Sequence, residues 1–345
     1  MLELLGTASF PSGDLLLIDF GLLRMWSGDQ PPLLDEAIAP PDIVALANAA
    51  ADFEIVGPDA DAVAARLDLA VVKGRYAFDV PDGHSFVDAV EHAGLNATVR
   101  QVPRMPHYQR VLNLLDVLPG GVEVPFQGCW GVAVRGVPAG PLRVLGERMD
   151  PEGPDQGKWR SVWVECAEGT PVESVECGYV LVDEARLLFA DAAALNSWRN
   201  DDPIDGLCDL AFWGRDANIV ADRIAPAPAT VDSEFTWTDL TLDELRARYG
   251  ELESLRAEGL RFAVDLRPHD DHFRVLGQMR SSSTESGSID VGGARMTGCF
   301  ISWGDGAFPV YRDVAADGTV LRVRVQLGAP EIIRAAAASR TAVVR

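Results

Sequence analysis

The sequence has almost no lysine, and it has no apolar segment long enough to cross a membrane. Only Lys73 and Lys158 are lysines, and 52 acidic against 30 basic residues in the 345-residue chain give a formal net charge of −22. Binding to a phosphate backbone or to an anionic membrane surface requires a basic face, which this composition does not offer. The most apolar run, 15–23, contains Asp19 and is much shorter than the about 20 residues of a spanning helix. We therefore expect neither a nucleic-acid partner nor a membrane.

Cysteine is also scarce, and its spacing argues against both disulfides and zinc. The five cysteines are an odd number and include no C-x-x-C pair. The first ten residues, MLELLGTASF, carry no lysine or arginine and so lack the basic start of a secretory signal. Together these features predict a cytoplasmic protein with reduced, mostly buried thiols and no cofactor.

The sequence repeats itself in four collinear blocks that lie about half the chain apart. The matched blocks are 6–26 with 178–198, 52–67 with 209–224, 94–107 with 259–272, and 128–130 with 298–300. The last block aligns Cys129 with Cys299, and we expect both to be small buried side chains. Four matching blocks in the same order are unlikely to arise by chance, so the blocks indicate an internal duplication.

The duplication predicts a division of the chain into two tandem domains. The predicted segments are a first repeat domain at 1–150, a linker and connecting strand at 151–172, a second repeat domain at 173–328 and a tail at 329–345. The repeat is too long for a solenoid unit, so each copy is expected to have its own core.

Strand and helix patterns in both copies predict an α+β fold with mainly antiparallel sheets and a few short helices. Alternating apolar residues mark a strand at 320–327. A proline and an aspartate at the start of 58–67 predict a short helix. Thr241 and Glu244 form a capping-box pattern that opens a helix over 242–258.

The segment RPHDDHF, 267–273, is the densest group of potential ligands and proton carriers. His269, Asp271 and His272 are its candidates for a metal or catalytic site, together with Asp270. In an extended segment neighbouring side chains point to opposite sides, so one metal ion would not reach all of them. The alternative is a polar turn at the end of a strand.

Asp19 and Asp191 occupy the same place in the two copies, each after an apolar strand. Two carboxylates related in this way could act as an acid and a base if they met across a cleft. The commoner role of an aspartate after a strand is to cap a turn or a following helix, and we favour that role.

Two polar loops of the second copy are candidates for contact with a partner, because neither has a counterpart in the sequence of the first copy. One is SSSTESGS, 281–288, which contains Glu285, and the other is the Gly-Asp-Gly sequence around Asp305, next to Trp303. Loops on a rigid scaffold often carry function, and exposed tryptophan is enriched in interfaces. The alternatives are a flexible surface loop for the first and a tight turn for the second.

The segment SWGDGAFPVY, 302–311, resembles the C-terminal signature of a widespread bacterial family of unknown function, S/G-x-GDG-x-[YF]-PVY. The segment SGDLLLID, 12–19, and its copy at 182–191 resemble the opening strand of that family. The family has proline after this aspartate, whereas Phe20 and Ala192 follow here. The resemblance supplies no catalytic residues. Some members of that family look like products of toxin–immunity or defence loci, so the resemblance associates the chain with such loci.

Three functions are compatible with the sequence. We favour a non-catalytic acidic protein-binding module, such as an immunity or inhibitor protein, that meets another protein with a basic surface. Trp303, Asp305 and Glu285 are then the expected contact residues.

The alternatives are an enzyme and a structural protein. A hydrolase would use His269, Asp271, His272 and Asp305 in a cleft between the copies. A self-associating structural protein would use the duplication in place of a dimer.

Overall fold

The computed structural model describes residues 2–33, 41–67, 72–81, 83–150, 152, 154–231 and 233–328. The predicted tail, 329–345, lies outside them. The fold is α+β, and all strand pairings in the described residues are antiparallel.

The described strands and helices follow the chain in this order. The strands are β1 Leu2–Ala8, β2 Asp14–Asp19, β3 Ala51–Val56, β4 Val72–Lys73, β5 Tyr76–Val80, β6 Thr98–Val102, β7 Val122–Phe126, β8 Cys129–Arg135, β9 Leu142–Arg148, β10 Trp159–Glu165, β11 Glu173–Val182, β12 Arg186–Asp191, β13 Leu207–Trp213, β14 Ala229–Val231, β15 Glu234–Thr241, β16 Ala263–Pro268, β17 Ser286–Val291, β18 Ala294–Phe300, β19 Gly306–Val314 and β20 Val320–Gln326. The helices are α1 Pro41–Ala49, α2 Ala60–Arg66, α3 Gly83–His92, α4 His107–Val117, α5 Ala217–Arg223, α6 Leu242–Ala257 and α7 Asp271–Ser281, with 3₁₀ helices at Phe20–Met25 and Ala194–Ser197.

The described chain forms two compact units, and their boundaries differ from the predicted ones at 150 and 173. One unit contains the residues up to Trp198 together with those from Gln278 onward, and Arg199–Gly277 forms the other. The difference arises because strands from both halves of the sequence enter the same two sheets of the first unit. The two halves therefore share one core there instead of forming one core each.

The first unit is built on two six-stranded sheets. Their strand orders are β1-β9-β10-β20-β19-β11 and β17-β18-β12-β2-β8-β7. A single cluster of buried side chains draws on both sheets, including Leu17, Val164, Phe189 and Val323. Each such side chain contributes about 1.5–3 kcal/mol when it leaves water, so this shared core is the main source of stability for the sandwich.

The two halves pair with each other in a symmetric register. In the ladder between β2 and β12, Leu15 is opposite Asp191 and Asp19 is opposite Leu187. The sequence blocks equate Leu15 with Leu187 and Asp19 with Asp191, so exchanging the copies reproduces the same pairs. The strand orders of both sheets have the same symmetry about their centres. This is the register that the duplication hypothesis requires.

Irregularities in the ladders also recur at equivalent positions. The pairing of β1 with β9 shifts register at Leu5, and the pairing of β11 with β19 shifts at Cys177, in each case just before the matched glycine. The pairing of β9 with β10 shifts at Arg160, and that of β19 with β20 shifts at Leu321. Leu5 and Cys177 are both buried in the sandwich core. The shared shifts strengthen the interpretation that the halves are copies.

Each half also carries an insertion between its sandwich strands, a four-stranded sheet with helices. Their strand orders correspond: β4-β5-β3-β6 in the first half and β14-β15-β13-β16 in the second. Gly57 and Gly214, at the ends of β3 and β13, have φ angles of 124° and 127°, a conformation that favours glycine. Asp59 and Asp216 precede the helices that follow. The predicted capping box of Thr241 is confirmed at the start of α6.

The alignment of Cys129 with Cys299 is wrong by five residues. In the ladders to β2 and β12, Val134 is opposite Leu15 and Cys299 is opposite Leu187, so Cys299 corresponds to Val134. Cys129 lies at the hairpin between β7 and β8 and is only half-buried. Cys299 is fully buried, and burial raises the pKa of its thiol to about 12. All five cysteines are described, and no disulfide joins any two of them.

Candidate functional site

Three chain connections of the second copy lie side by side at one end of the sandwich. The turn 183–185 joins β11 to β12, the segment 282–285 leads into β17, and 301–305 joins β18 to β19. The amide of Ile301 donates to the carbonyl of Ala185 at 2.8 Å, and the amide of Phe300 donates to the carbonyl of Glu285 at 3.0 Å. These bonds bring the three connections together.

All three connections expose carboxylates. The exposed acidic residues are Asp183, Glu184, Glu285 and Asp305. We call this group of residues the acidic loop end. The cations in contact with these connections include Arg186, whose guanidinium lies 3.6 Å from the Glu184 carboxylate, and Lys158, whose ammonium lies 4.1 Å from the centroid of the Trp303 ring. Four carboxylates against these two cations leave this end with an excess of negative charge.

The equivalent connections of the first copy contain no acidic residue. They are 9–13 between β1 and β2, 118–121 before β7, and 136–141 between β8 and β9, with the sequences SFPSG, LPGG and GVPAGP. The order of the strands is the same in both halves, so the fold does not require acids at these places. The four carboxylates are therefore specific to the second copy.

The turn that carries two of these acids is held by Asp19. The Asp19 carboxylate accepts hydrogen bonds from the amides of Asp183 and Glu184 at 2.8 and 2.7 Å, and from Gly21 at 2.9 Å. Burial raises the pKa of Asp19 to about 6, against the opposing effect of these amides. Asp19 thus caps its own 3₁₀ helix, as predicted, and also fixes a turn of the other copy.

Asp191 makes the reciprocal contact. Its carboxylate accepts the amide and hydroxyl of Ser12 at 2.8 and 2.7 Å, and the amide of Ala194 at 2.9 Å. Asp19 and Asp191 stand at opposite ends of the ladder between β2 and β12. They are caps in separate places, and they do not form the acid–base pair considered from the sequence.

Trp303, one of the expected contact residues, lies in the connection between β18 and β19. It is half-buried against the sandwich core. Its indole N–H donates to the carbonyl of Trp159 at 2.7 Å, and the Lys158 ammonium lies 4.1 Å from the ring centroid. These contacts make the 301–305 connection rigid and leave Asp305 as its exposed side chain. The 281–288 segment, expected as a flexible loop, instead ends α7 and begins β17.

The second unit contains a different polar cluster, centred on His269. The imidazole Nδ1 lies 2.9 Å from an Asp205 oxygen, and Nε2 lies 3.0 Å from Asp209 Oδ1. A ligand atom of Asp239 is within 4.8 Å of those of Asp209 and His269. Burial lowers the pKa of His269, but the hydrogen bonds to Asp205 and Asp209 outweigh this effect, and the pKa lies above its usual value. His269 and Asp205 also line an open cavity of about 380 Å³.

The structure separates the histidines and aspartates of the 267–273 segment. Asp271 accepts the amide of Arg199 at 3.0 Å, and Asp270 accepts those of Asp201 and Phe273 at 2.7 and 2.8 Å. These two carboxylates hold the turn between β16 and α7, which is the strand-end turn that the sequence left as the alternative.

His269 consequently groups with residues that the local sequence did not indicate. His272 is buried near the start of α7, and Asp305 belongs to the other compact unit. The predicted set of His269, Asp271, His272 and Asp305 is thus not the cluster that forms around His269. The signal that was missed is that Asp209 is matched by Asp52 in the tightest repeat block, so the sequence already marked it as a repeated carboxylate.

The first copy fills the equivalent place with arginines. Asp52 and Asp79 correspond to Asp209 and Asp239, because Asp79 and Asp239 both have positive φ and both donate their amides to the matched aspartate at 2.9 and 3.0 Å. The guanidinium groups contact these carboxylates at three places: Arg104 Nη2 to Asp79 at 2.7 Å, Arg110 Nη1 to Asp79 at 2.6 Å, and Arg110 Nη2 to Asp52 at 3.3 Å.

Neither guanidinium group has a counterpart in the second copy. The strand registers match Val102 with Arg267, which places His269 at the position of Arg104. The sequence block that pairs His107 with His272, continued by three residues, places Val275 at the position of Arg110. Two arginines balance two aspartates in the first copy, whereas in the second His269 faces three carboxylates. Within the described residues, the exposed Asp239 carboxylate accepts no hydrogen bond and forms no ion pair.

Comparison with known proteins gives no relative from which a function could be transferred. No family model, no curated protein and no solved structure matches the chain. In the part of the chain that the structure describes, no helix has the length and apolar character needed to cross a membrane.

Proposed function

We propose that the protein is a non-catalytic binding module that holds a basic partner protein at the acidic loop end. The observation that carries this proposal is the difference between the copies: the three connections of the second copy expose four carboxylates, and the three equivalent connections of the first copy have none. A difference confined to loops on a shared scaffold is typical of a binding surface.

The physical properties of the loop end suit recognition of a basic surface. Its turns are fixed by the buried Asp19 carboxylate and by the Trp303 indole, so little conformational entropy is lost on binding. The net charge of −22 adds a long-range field that speeds the approach of a positive partner. Immunity and inhibitor proteins work in this way, and an immunity or inhibitor role in the cytoplasm is the form of the proposal that we favour.

The test compares the wild-type chain with a variant in which the four acids become amides. The variant carries Asp183→Asn, Glu184→Gln, Glu285→Gln and Asp305→Asn. A matched control neutralises four exposed acids elsewhere in the same unit: Asp42→Asn, Asp88→Asn, Glu91→Gln and Glu152→Gln. Each immobilised protein is incubated with a lysate of the source cells, retained proteins are identified, and the affinity of the purified partner is measured at low and high salt.

We expect a basic protein to be retained by the wild type and by the control, and to bind the loop-end variant about 8- to 30-fold more weakly at low salt. This estimate takes about 0.3–0.5 kcal/mol for each exposed charge pair. Added salt should reduce the difference, because exposed charges are screened beyond about 8 Å at physiological ionic strength. An equal loss in both variants, or no loss in either, would place the binding surface elsewhere.

A further inference from the structure

The His269 cluster in the second unit has the composition and spacing of a metal site. Asp209, Asp239 and His269 each offer one ligand atom, and these atoms lie within 4.8 Å of one another. The Nε2 atom of His269 is 3.0 Å from Asp209 Oδ1, close to the separation of about 3–3.5 Å between ligands that share an ion at about 2.0–2.2 Å. An exposed carboxylate, Asp239, completes the group on the solvent side.

Asp205 holds the imidazole in the orientation that a metal ligand needs. The Nδ1 atom of His269 is 2.9 Å from the Asp205 carboxylate. With its proton on Nδ1 and donated to Asp205, the ring presents the Nε2 lone pair toward Asp209 and Asp239. A carboxylate on the far ring nitrogen is the usual partner of a metal-binding histidine, because it fixes the tautomer and makes the ring a stronger donor.

The first copy shows independently that this carboxylate pair binds cations. Asp52 and Asp79, at the positions of Asp209 and Asp239, are occupied by the guanidinium groups of Arg104 and Arg110. The second copy keeps both carboxylates and has replaced the arginines with His269 and Val275. The second copy thus has one imidazole where the first has two guanidinium groups, and its two carboxylates can accept a cation from solution.

We propose that Asp209, Asp239 and His269 bind one divalent transition-metal ion of the Zn²⁺ class. An imidazole with two carboxylates favours such an ion over Mg²⁺ or Ca²⁺, which prefer oxygen ligands alone. Three protein ligands leave a coordination position for water. The site lies within the second unit and is independent of the acidic loop end.

The experiment is calorimetric titration of the full chain, freed of metal by a chelator, with Zn²⁺ and separately with Mg²⁺. The site variants are Asp239→Asn and His269→Gln, and Asp205→Asn tests the orienting carboxylate. The control is Asp243→Asn, an exposed acid of the same unit that pairs only with Arg246 among the described residues. Circular dichroism of each variant verifies that the fold is retained.

We expect one Zn²⁺ per chain with a micromolar or lower Kd and much weaker binding of Mg²⁺. Asp239→Asn and His269→Gln should weaken Zn²⁺ binding at least 10-fold, Asp205→Asn by about 10-fold, and Asp243→Asn not at all. His269→Arg, which restores the residue type of the first copy, should abolish binding while the protein stays folded. Zn²⁺ affinity unchanged in the two ligand variants, Zn²⁺ binding lost only on alkylation of the cysteines, or no binding below millimolar Zn²⁺ would overturn the proposal.

Discussion

Removing the guanidinium of Arg110 should be among the most costly single changes to the first unit. The Arg110 side chain has no solvent exposure. Its Nη atoms donate to Asp79 at 2.6 and 3.0 Å, to Asp52 at 3.3 Å and to the Pro125 carbonyl at 3.0 Å, and its Nε donates to the Met105 carbonyl at 3.1 Å. Arg110→Ala leaves all of these acceptors without that donor.

The expected loss in the free energy of unfolding follows from the burial of the ion pairs that Arg110 forms. Asp52 is fully buried and Asp79 is nearly so, and breaking a buried ion pair by removing one partner costs about 3–5 kcal/mol. We therefore expect Arg110→Ala to lower the free energy of unfolding at pH 7 by about 3–5 kcal/mol, as measured by urea denaturation. Burial by itself would raise the pKa of Asp79, but the contacts with Arg110 hold that pKa well below its usual value. The difference between wild type and variant should therefore shrink as the pH falls below about 4.

The matched control is the equivalent position of the second copy. Val275 is fully buried and has no ion pair to lose, so Val275→Ala should cost only about 1–2 kcal/mol, the value of a small loss of buried volume. A cost below about 1 kcal/mol for Arg110→Ala, or equal costs at both positions, would refute the argument that the two copies use this place differently.

Three further predictions concern the shared scaffold. Asp19→Ala and Asp191→Ala should each destabilise the protein by about 2–4 kcal/mol in urea denaturation, because each leaves one buried amide and further part-buried donors without an acceptor; a cost near zero would show that water replaces the carboxylate. The pKa of about 6 for folded Asp19 exceeds its unfolded value of 3.8, so the folded state binds more protons between these values. The penalty of Asp19→Ala should therefore grow by about 1 kcal/mol as the pH is lowered from 7.5 to 5; a penalty that shrinks would contradict the shift. Gly57→Ala should lower the free energy of unfolding by about 1–3 kcal/mol, because φ is 124° and a Cβ would lie 2.8 Å from the Asn96 carbonyl oxygen; an unchanged midpoint would argue against that backbone conformation.

Local patterns predicted the fold class and several of its elements. The capping box at Thr241 and the strand near the C-terminus follow from nearest neighbours in sequence, and both form as expected. The boundaries of the compact units could not be predicted in the same way, because they depend on long-range pairing. Nothing in the apolar run 15–23 shows that β2 will pair with β12 of the other copy. That pairing is what merges the halves into one sandwich.

The candidate sites were only partly accessible from sequence. Glu285 and Asp305 were found as features of the second copy, but their proximity depends on backbone bonds between connections far apart in the chain. His269 was found in a dense polar segment, yet Asp205, Asp209 and Asp239 come from other strands and turns. Short-range spacing favoured Asp271 and His272, whose environments are instead set by the start of α7. The replacement of Arg104 by His269 appears in the paired strand registers, which the sequence does not give.

The central claim, that the acidic loop end of the second copy is the partner surface, is tested most directly by hydrogen–deuterium exchange of the wild-type chain with and without its captured partner. Protection is expected in peptides covering 183–186, 282–286 and 301–306, and not in those covering the equivalent connections 9–13, 118–121 and 136–141 of the first copy. Because the two sets share one scaffold, each serves as the control for the other. Protection confined to the first-copy connections, or spread equally over both sets, would contradict the account.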